Sequence, residues 1–426
     1  MTPEVKQRIE QIRQGVVPEG YKKGKIGIVP IKWNEVPFST LFTSTSEYTD
    51  DLKQYPLYSL TIEDGITAKT ERYERSHLVK KENSYKVVRP NDYAYNPMNI
   101  RFGAVARHKG DIPVAVSGYY DIFTTVHESD LVFMDSFLTY GPMITYYNKV
   151  STGSLVEKQR VHFSDFLEFS LALPPLEERK KIAEILSTQD KAIELQGRKI
   201  EELKRFKKGC LEKLFPRKGQ KVPEKRFPEF TDDWEQRKVS DLAKKAYGGG
   251  TPTTSNEAYW NGDIPWIQSS DVVDGKLLGV EPRKWITQDG LNNSAAQLIP
   301  ENSIAIITRV GVGKLTFMPY SYATSQDFLS LSKLNAEPLF TVYACYKKLQ
   351  SELNAVQGTS IKGITKDELL AKSIMVPLYA EQQQIGAFFK QLDHLITLHQ
   401  RKLEEMKRQK KALMQLLLTG IVRVQS

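Results

Sequence analysis

The chain has 426 residues, of which 40% are hydrophobic and 26% are charged, and its formal net charge is +9. This composition excludes wholesale disorder and predicts a globular protein of about two to four domains. No apolar run reaches the roughly 18 residues that a membrane span needs, and the first residues lack the apolar core of a signal peptide. The two cysteines and six histidines form no metal-spaced cluster. We therefore expect a cytoplasmic protein without a structural metal.

The positive charge is concentrated in two separate segments. Residues 174–226 have a net charge of +7 and residues 377–426 of +4, whereas residues 1–173 and 227–376 have net charges of 0 and −2. Basic segments of this kind are typical of nucleic-acid binding, but also of solvated helix faces.

The first predicted element is a globular head, residues 1–173, in which strand-like runs are separated by turns. A long helix follows the helix breaker Pro174-Pro175. Its apolar residues recur every seven positions, as in Leu186, Ile193 and Ile200, which is the spacing of a coiled coil. Polar residues at Gln196 and Lys207 interrupt this apolar seam and would fix its register.

A second head, residues 227–376, and a second long helix, in residues 377–426, complete the chain. At a shift of 203 positions, 15 of the 42 residues in 174–215 are identical to their counterparts in 377–418, which is a long-period repeat. Each helix is expected to have about 40 residues and a length of about 60 Å. The two helices are expected to pair with each other, because neither can bury its apolar stripe alone.

The two heads also correspond in the order of their short motifs. Trp33 and Trp234 open them, and Arg101-Phe-Gly103 parallels Arg309-Val-Gly311. The predicted fold is α+β, with two α/β domains in a pseudo-two-fold arrangement, separated by an antiparallel coiled coil of the two repeated helices. Because the heads differ in sequence, this organisation favours a bipartite DNA site with two different halves.

Several motifs together are typical of one family. Each repeated helix begins with the pattern P-x-x-x-E-x-x-x-I. The other motifs are Tyr95–Gly103, the linker Arg226–Trp234, Tyr247-Gly-Gly-Gly-Thr-Pro, Ile264-Pro-Trp266, the Arg309–Lys314 loop and Gln357–Thr365. With this combination, the chain resembles the specificity subunit of type I restriction–modification enzymes over essentially its whole length.

The resemblance implies a division of labour with other subunits. Residues 1–173 and 227–376 would be target-recognition domains 1 and 2 for double-stranded DNA, and residues 174–226 and 377–426 the repeated helices with the first linker. Two modification subunits, with S-adenosylmethionine and the adenine methylation site, and then restriction subunits would assemble with the chain. ATP and Mg²⁺ are likewise expected in the partner subunits, and neither catalysis nor a cofactor is expected in this chain.

Candidate contact residues follow from charge and from glycine-rich loops. Long cations mostly contact phosphate, and bidentate arginine reads guanine. The candidate DNA-binding residues are Arg72, Arg75, Lys80, Lys81, Arg101, Arg107, Lys109 and Arg160 in the first head, and Gly249, Gly250, Thr251, Arg309, Lys314, Ser360 and Lys362 in the second. The helices are expected to present outward leucines to the modification subunits, namely Leu211, Leu214, Leu416 and Leu417.

Two other interpretations are open. Asn96-Pro97-Met98-Asn99 is similar to the Asn-Pro-Pro-aromatic motif of adenine methyltransferases, but it lacks the second proline and the aromatic residue that stacks on a flipped base. A pure coiled-coil scaffold would explain the helices, but it leaves the paired heads without a purpose.

Overall fold

The computed structural model describes residues 2–69, 84–155, 158–355 and 363–424. The chain divides into two compact units. The first comprises Met1–Leu195 with Glu404–Ser426, and the second comprises Gln196–Leu403. Each unit therefore contains one head and a part of both long helices.

The first unit contains thirteen strands, four short helices and most of the first long helix within its described residues. The strands are β1 (Tyr21–Gly24), β2 (Gly27–Pro30), β3 (Asn34–Pro37), β4 (Phe42–Thr45), β5 (Tyr48–Thr49), β6 (Tyr58–Thr61), β7 (Gly65–Ala68), β8 (Tyr85–Val88), β9 (Tyr93–Tyr95), β10 (Val105–Arg107), β11 (Val114–Ser117), β12 (Asp121–Thr125) and β13 (Ser170–Leu173). The helices are α1 (Pro3–Arg13), α2 (Leu131–Phe137), α3 (Gly141–Val150), α4 (Phe163–Leu167) and α5 (Leu176–Lys213), which continues into the second unit.

The core of the first unit is rich in aromatic residues. It lies beside a four-stranded antiparallel sheet with strand order β10-β9-β12-β4. Phe38, Phe123 and Phe166 are fully buried there, and the Phe166 ring contacts Phe38 edge-on and Phe123 at a tilt. Edge-to-face contacts between aromatic rings are favourable beyond simple burial. This packing supports the loops at the ends of β9 and β10, where several candidate residues lie.

The second unit contains nine strands and four helices within its described residues. The strands are β14 (Glu235–Lys238), β15 (Ala243–Gly248), β16 (Trp260–Ile267), β17 (Lys284–Ile286), β18 (Ser303–Ile307), β19 (Leu315–Met318), β20 (Ala323–Thr324), β21 (Phe328–Leu334) and β22 (Ser373–Val376). The helices are α6 (Gln288–Asn292), α7 (Pro338–Ala355), α8 (Lys366–Leu370) and α9 (Tyr379–Leu418), which ends in the first unit. The main sheet has strand order β15-β21-β18-β19 and is antiparallel.

The two heads share one pattern of strand pairing next to their long helices. In each unit, a buried tryptophan, Trp33 or Trp234, directly precedes a short strand. That strand pairs antiparallel with the strand just before a long helix, β3 with β13 and β14 with β22. The predicted correspondence of the two tryptophans is therefore confirmed, and in each head the strand after the tryptophan is tied to the strand that leads into the long helix.

The two predicted long helices are confirmed, with 38 residues in α5 and 40 in α9. In the second unit, the amide Nε2 of Gln196 donates to Nδ1 of His399 at 2.9 Å. Lys207 Nζ lies 2.5 Å from Asp393 Oδ1. The residue numbers rise along one helix and fall along the other, so these segments are antiparallel.

The first unit repeats the ion pair with the two helices exchanged. Lys410 Nζ lies 2.5 Å from Asp190 Oδ1. These residues are the repeat counterparts of Lys207 and Asp393. One repeat-equivalent lysine–aspartate pair therefore joins the two helices in each unit.

A buried glutamate anchors the start of each long helix. Glu178 receives two hydrogen bonds of 2.6 Å from Arg423, which follows the end of α9. Its counterpart Glu381 receives bonds of 2.8 and 2.7 Å from Arg226, which follows the end of α5. Bidentate arginine–carboxylate pairs fix geometry as well as charge. They therefore hold the start of each helix against the segment that follows the other.

None of the helices in the described ranges is both long enough and apolar enough to cross a membrane.

Candidate DNA interface

The predicted basic residues of the first head fall into two groups. Arg72, Arg75, Lys80 and Lys81 lie outside the described residues. Arg101, Arg107, Lys109 and Arg160 are described, and they lie on β10, on the loops beside it, and on the short bridge between Thr152 and Arg160.

Arg107 is held by a network of polar side chains. Its Nε and Nη2 donate to the Asp135 carboxylate at 3.0 and 2.8 Å, and its Nη1 donates to Oδ1 of Asn91. The Tyr93 hydroxyl donates to the same carboxylate at 2.8 Å. Burial lowers the pKa of Arg107, but the hydrogen bonds to Asp135, the charge of Asp135 and the neighbouring Tyr93 together raise this pKa overall. Burial and the neighbouring Asp135 raise the pKa of Tyr93. The network fixes Arg107 in place and uses most of its donors.

Lys109 and Arg101 are placed differently. The exposed Lys109 has its Nζ 3.3 Å from the same Asp135 carboxylate, so one aspartate positions both cations. Arg101 donates from Nη1 to the neutral Oε1 of Gln159 at 3.1 Å. Neither Arg101 nor Arg160 forms an ion pair within the described part of the chain. Both therefore keep an uncompensated positive charge with respect to these residues.

A cleft of about 670 Å³ lies beside these side chains in the first head. Arg107, Lys109 and Asp135 line it, and so does the apolar side chain of Phe102. The cleft thus brings together two of the predicted cationic residues, Arg107 and Lys109, and Arg101 is the sequence neighbour of Phe102 in its lining. Asp135 and Phe102 were missed by the sequence analysis, because neither residue type is basic.

The glycine-rich turn of the second head is set by close packing. A Cβ on Gly249 would lie 1.9 Å from the Ser325 carbonyl oxygen, and one on Gly250 would lie 2.2 Å from that of Ala295. The amide of Gly250 donates to Thr324 at 2.8 Å. This amide therefore closes a turn, and a role of Gly249 and Gly250 in DNA binding stays a prediction. Thr251 remains accessible, and its hydroxyl donates to Gln326 at 2.6 Å.

Arg309 and Lys314 lie at the tip of the hairpin between β18 and β19. Neither side chain forms an ion pair or hydrogen bond with any residue that the structure describes. Ser360 and Lys362 lie outside the described residues. Just after them, the Ile364 amide donates to the Thr308 carbonyl at 2.8 Å. Residues 363–364 therefore lie beside the hairpin loop.

The predicted outward leucines are only partly outward. Leu211 and Leu417 are buried in the cores of the second and first units, so the expectation for these two residues is wrong. Each leucine lies near the end of a long helix, and the core of a head packs against it there. Heptad spacing gives only the contacts between the helices and does not reveal this packing. Leu214 and Leu416 are partly exposed.

A different pair of leucines is exposed on the helices. Leu195 is 63% exposed and its repeat counterpart Leu398 is 46% exposed. Both are among the 15 identical positions of the repeat, so the signal was present in the sequence. Heptad spacing does not select them, because they lie outside the apolar seam.

Comparison with known proteins identifies the family. The model of the type I restriction modification DNA specificity domain matches residues 136–205 and 231–408, more than half of the chain. The chain belongs to this family. The resemblance found in the sequence is therefore confirmed, and the two matched segments each run from a head into a repeated helix.

Relatives within the specificity family match over different lengths. The putative type I restriction enzyme MjaX specificity subunit of Methanocaldococcus jannaschii is 25% identical over 99% of this chain and 93% of its own length. The EcoR124I/EcoR124II specificity subunit of Escherichia coli is 31% identical over 35% of this chain and 39% of its own.

Solved structures show that the specificity-family fold extends over most of the chain. A chain of a type I R-M system, solved in a study of complex assembly and conformational transition, superposes with a TM-score of 0.57 at 18% identity, covering 92% of this chain and 99% of that one. The S subunit of a type I restriction–modification system from M. genitalium gives 0.54 at 12% identity, covering 93% and 99%.

Proposed function

We propose that this chain is the DNA-sequence-specificity subunit of a type I restriction–modification complex, in which each head reads one half of a bipartite target. The observation that carries the proposal is the duplication of a whole head-and-helix element with divergent heads, in a chain of the specificity family. Duplicated modules bind two half-sites, and different heads imply different half-sites.

We further propose that residues 1–173 and 227–376 are the two target-recognition domains, and that the two repeated helices form an antiparallel coiled coil between them. The supporting observations are the repeat-equivalent pairs Lys207–Asp393 and Asp190–Lys410. The polar pair Gln196–His399 also supports it, because these two residues are each other's counterpart. A pseudo-two-fold arrangement of the heads is part of the same proposal.

The partners proposed are double-stranded DNA, two modification subunits and restriction subunits. Leu195 and Leu398 support two modification subunits, because identical exposed residues on both helices offer the same surface twice. In this proposal S-adenosylmethionine, ATP and Mg²⁺ act in those subunits, and this chain recognises DNA without catalysing a reaction.

The methyltransferase alternative is weakened by the role of Asn96. This residue is buried, and its side-chain oxygen accepts from the amides of Met98 and Asn99 at 3.1 and 3.4 Å. It therefore closes a turn, as asparagine often does. The scaffold alternative leaves without a function four cations that form no ion pair among the described residues, namely Arg101, Arg160, Arg309 and Lys314.

The test is to express the chain with its modification subunit in a host that lacks adenine methylation, and to sequence the methylated adenines. A bipartite motif with a fixed spacer is expected, and it should vanish when the chain is omitted. Methylation that continues without the chain, or that follows one undivided motif, would contradict the proposal.

A further inference from the structure

An exposed apolar side chain stands at the tip of a rigid turn in the first head. Phe102 is 52% exposed, whereas Ile100 in the same turn is fully buried. Gly103 follows with a φ of +95°, a conformation that favours glycine, and Asn148 donates to the Arg101 carbonyl at 2.7 Å. The backbone of the turn is fixed on both sides, so the fold itself holds the Phe102 side chain in an exposed position.

The second head carries the same arrangement on a hairpin. Val310 is 68% exposed, and Gly311 follows with a φ of +89°. The hairpin is closed by the Ile307 amide, which donates to the Lys314 carbonyl at 2.9 Å. Both heads therefore present the order arginine, exposed apolar residue, left-handed glycine. We call Arg101–Gly103 and Arg309–Gly311 the two tips.

Each tip also carries an arginine without an ion pair among the described residues. The Arg101 guanidinium lies over the Phe102 ring, with Cζ 4.6 Å from the ring centroid, and its buried Nε has no hydrogen-bond partner in the described chain. The nearby Arg107 is neutralised by Asp135. An uncompensated cation beside an exposed apolar group fits a ligand that is itself both anionic and partly apolar.

We infer that Phe102 and Val310 contact base-pair edges in the major groove, each in its own half-site, through the 5-methyl group of a thymine. This inference rests on the proposed function. DNA is anionic, the acceptor edge of a guanine binds an arginine, and the thymine methyl is the apolar group that base-pair edges present in the major groove. The tip residues thus determine part of the sequence preference that the basic residues alone do not explain.

The experiment uses the complex of this chain with its modification subunit and a duplex that carries its own methylation site. Each thymine of the site is replaced by uracil in turn, which removes only the 5-methyl group. For the wild type, one replacement in each half-site should weaken binding by about four-fold, the effect of one buried methyl group. Phe102→Ala should weaken binding by about ten-fold and abolish the effect of uracil in the first half-site only.

Matched variants complete the design. Val310→Ala should abolish the uracil effect in the second half-site only, and Phe102→Leu should restore much of it in the first. Ile31→Ala and Leu298→Ala remove exposed apolar side chains away from the tips and should leave the pattern unchanged. Assembly with the modification subunit confirms that each variant is folded.

Two results would overturn the inference by itself: no thymine-to-uracil effect in the wild type, or an unchanged uracil pattern in Phe102→Ala and Val310→Ala. Failure of the proposed function is a distinct outcome. It would show as a wild-type complex that binds its site no better than a scrambled duplex of the same length.

Discussion

The two lysine–aspartate pairs of the helices are equivalent in sequence but differ in environment. The side chain of Asp393 is 16% exposed, and it also accepts a hydrogen bond of 2.6 Å from the Tyr343 hydroxyl. The side chain of Asp190 is 52% exposed. Water therefore screens the first unit's pair far more than the second unit's pair. Buried pairs are costly to break, whereas exposed pairs contribute little.

This contrast gives a prediction with its own internal control. Asp393→Asn should lower the free energy of unfolding by about 3 kcal/mol, because it leaves Lys207 buried without a counter-charge. Asp190→Asn should cost about 1 kcal/mol or less, because solvent compensates Lys410. Urea denaturation of the two variants measures both values. Equal losses would mean that burial does not distinguish the two pairs.

Lys314, on the same hairpin loop as the second tip, is the cation whose role is simplest to isolate. If its side chain contacts a phosphate, Lys314→Ala should weaken binding to all DNA sequences and reduce the slope of log affinity against log salt by about one. Arg101→Ala should instead relax the preference at one base pair, by about 1–3 kcal/mol if the contact is bidentate.

Fluorescence anisotropy across a salt series tests the Lys314 prediction, with the exposed Lys244→Ala as the control in the same head. An unchanged affinity and slope for Lys314→Ala would place the hairpin tip away from the DNA.

At the scale of elements, the long helices were predictable because seven-residue spacing and flanking prolines are local signals. The short strands were not, since strands of two to five residues carry too few positions to show alternation. The Arg107–Asp135 contact joins residues that are 28 positions apart in the sequence, so no local sequence pattern predicts it. Leu211 and Leu417 were misassigned for a related reason. The seam pattern predicts how one helix packs against the other, but it does not predict how a helix packs against a head.

The length of the helices predicts the spacer between the two half-sites. An insertion of seven residues after Arg198, matched by one after Arg401, preserves the heptad phase and adds about 10 Å of helix. If the paired helices separate the heads, the spacer between half-sites should lengthen by at most about three base pairs, at about 3.4 Å per base pair. Sequencing of methylated adenines reports the new spacer. A folded, active variant with the original spacer would show that the helices do not set this distance.

At the scale of the whole molecule, duplication and family membership account for more than any single residue. The order of head, helix, head and helix was predictable from the sequence repeat alone, because 15 identities at one fixed shift cannot arise from composition. The placement of the candidate cations was not predictable, because charge alone does not separate Arg107, which pairs with Asp135, from Arg101, which forms no ion pair among the described residues.

The number of partners follows from the same duplication. If each helix offers one copy of the surface around Leu195 or Leu398, the purified complex should contain two modification subunits for each copy of this chain. Native mass spectrometry measures the ratio. A stable one-to-one complex that resists a second modification subunit would contradict the duplicated surface.

If each head reads its own half of the target, exchanging one head should change one half-site. Residues 1–173 are replaced by the first head of another member of the family, and the methylated adenines of a host carrying the hybrid and the modification subunit are sequenced. The expected motif has one new half-site, while the other half-site and the spacer are unchanged. A folded, assembled hybrid that alters both half-sites, or neither, would contradict it.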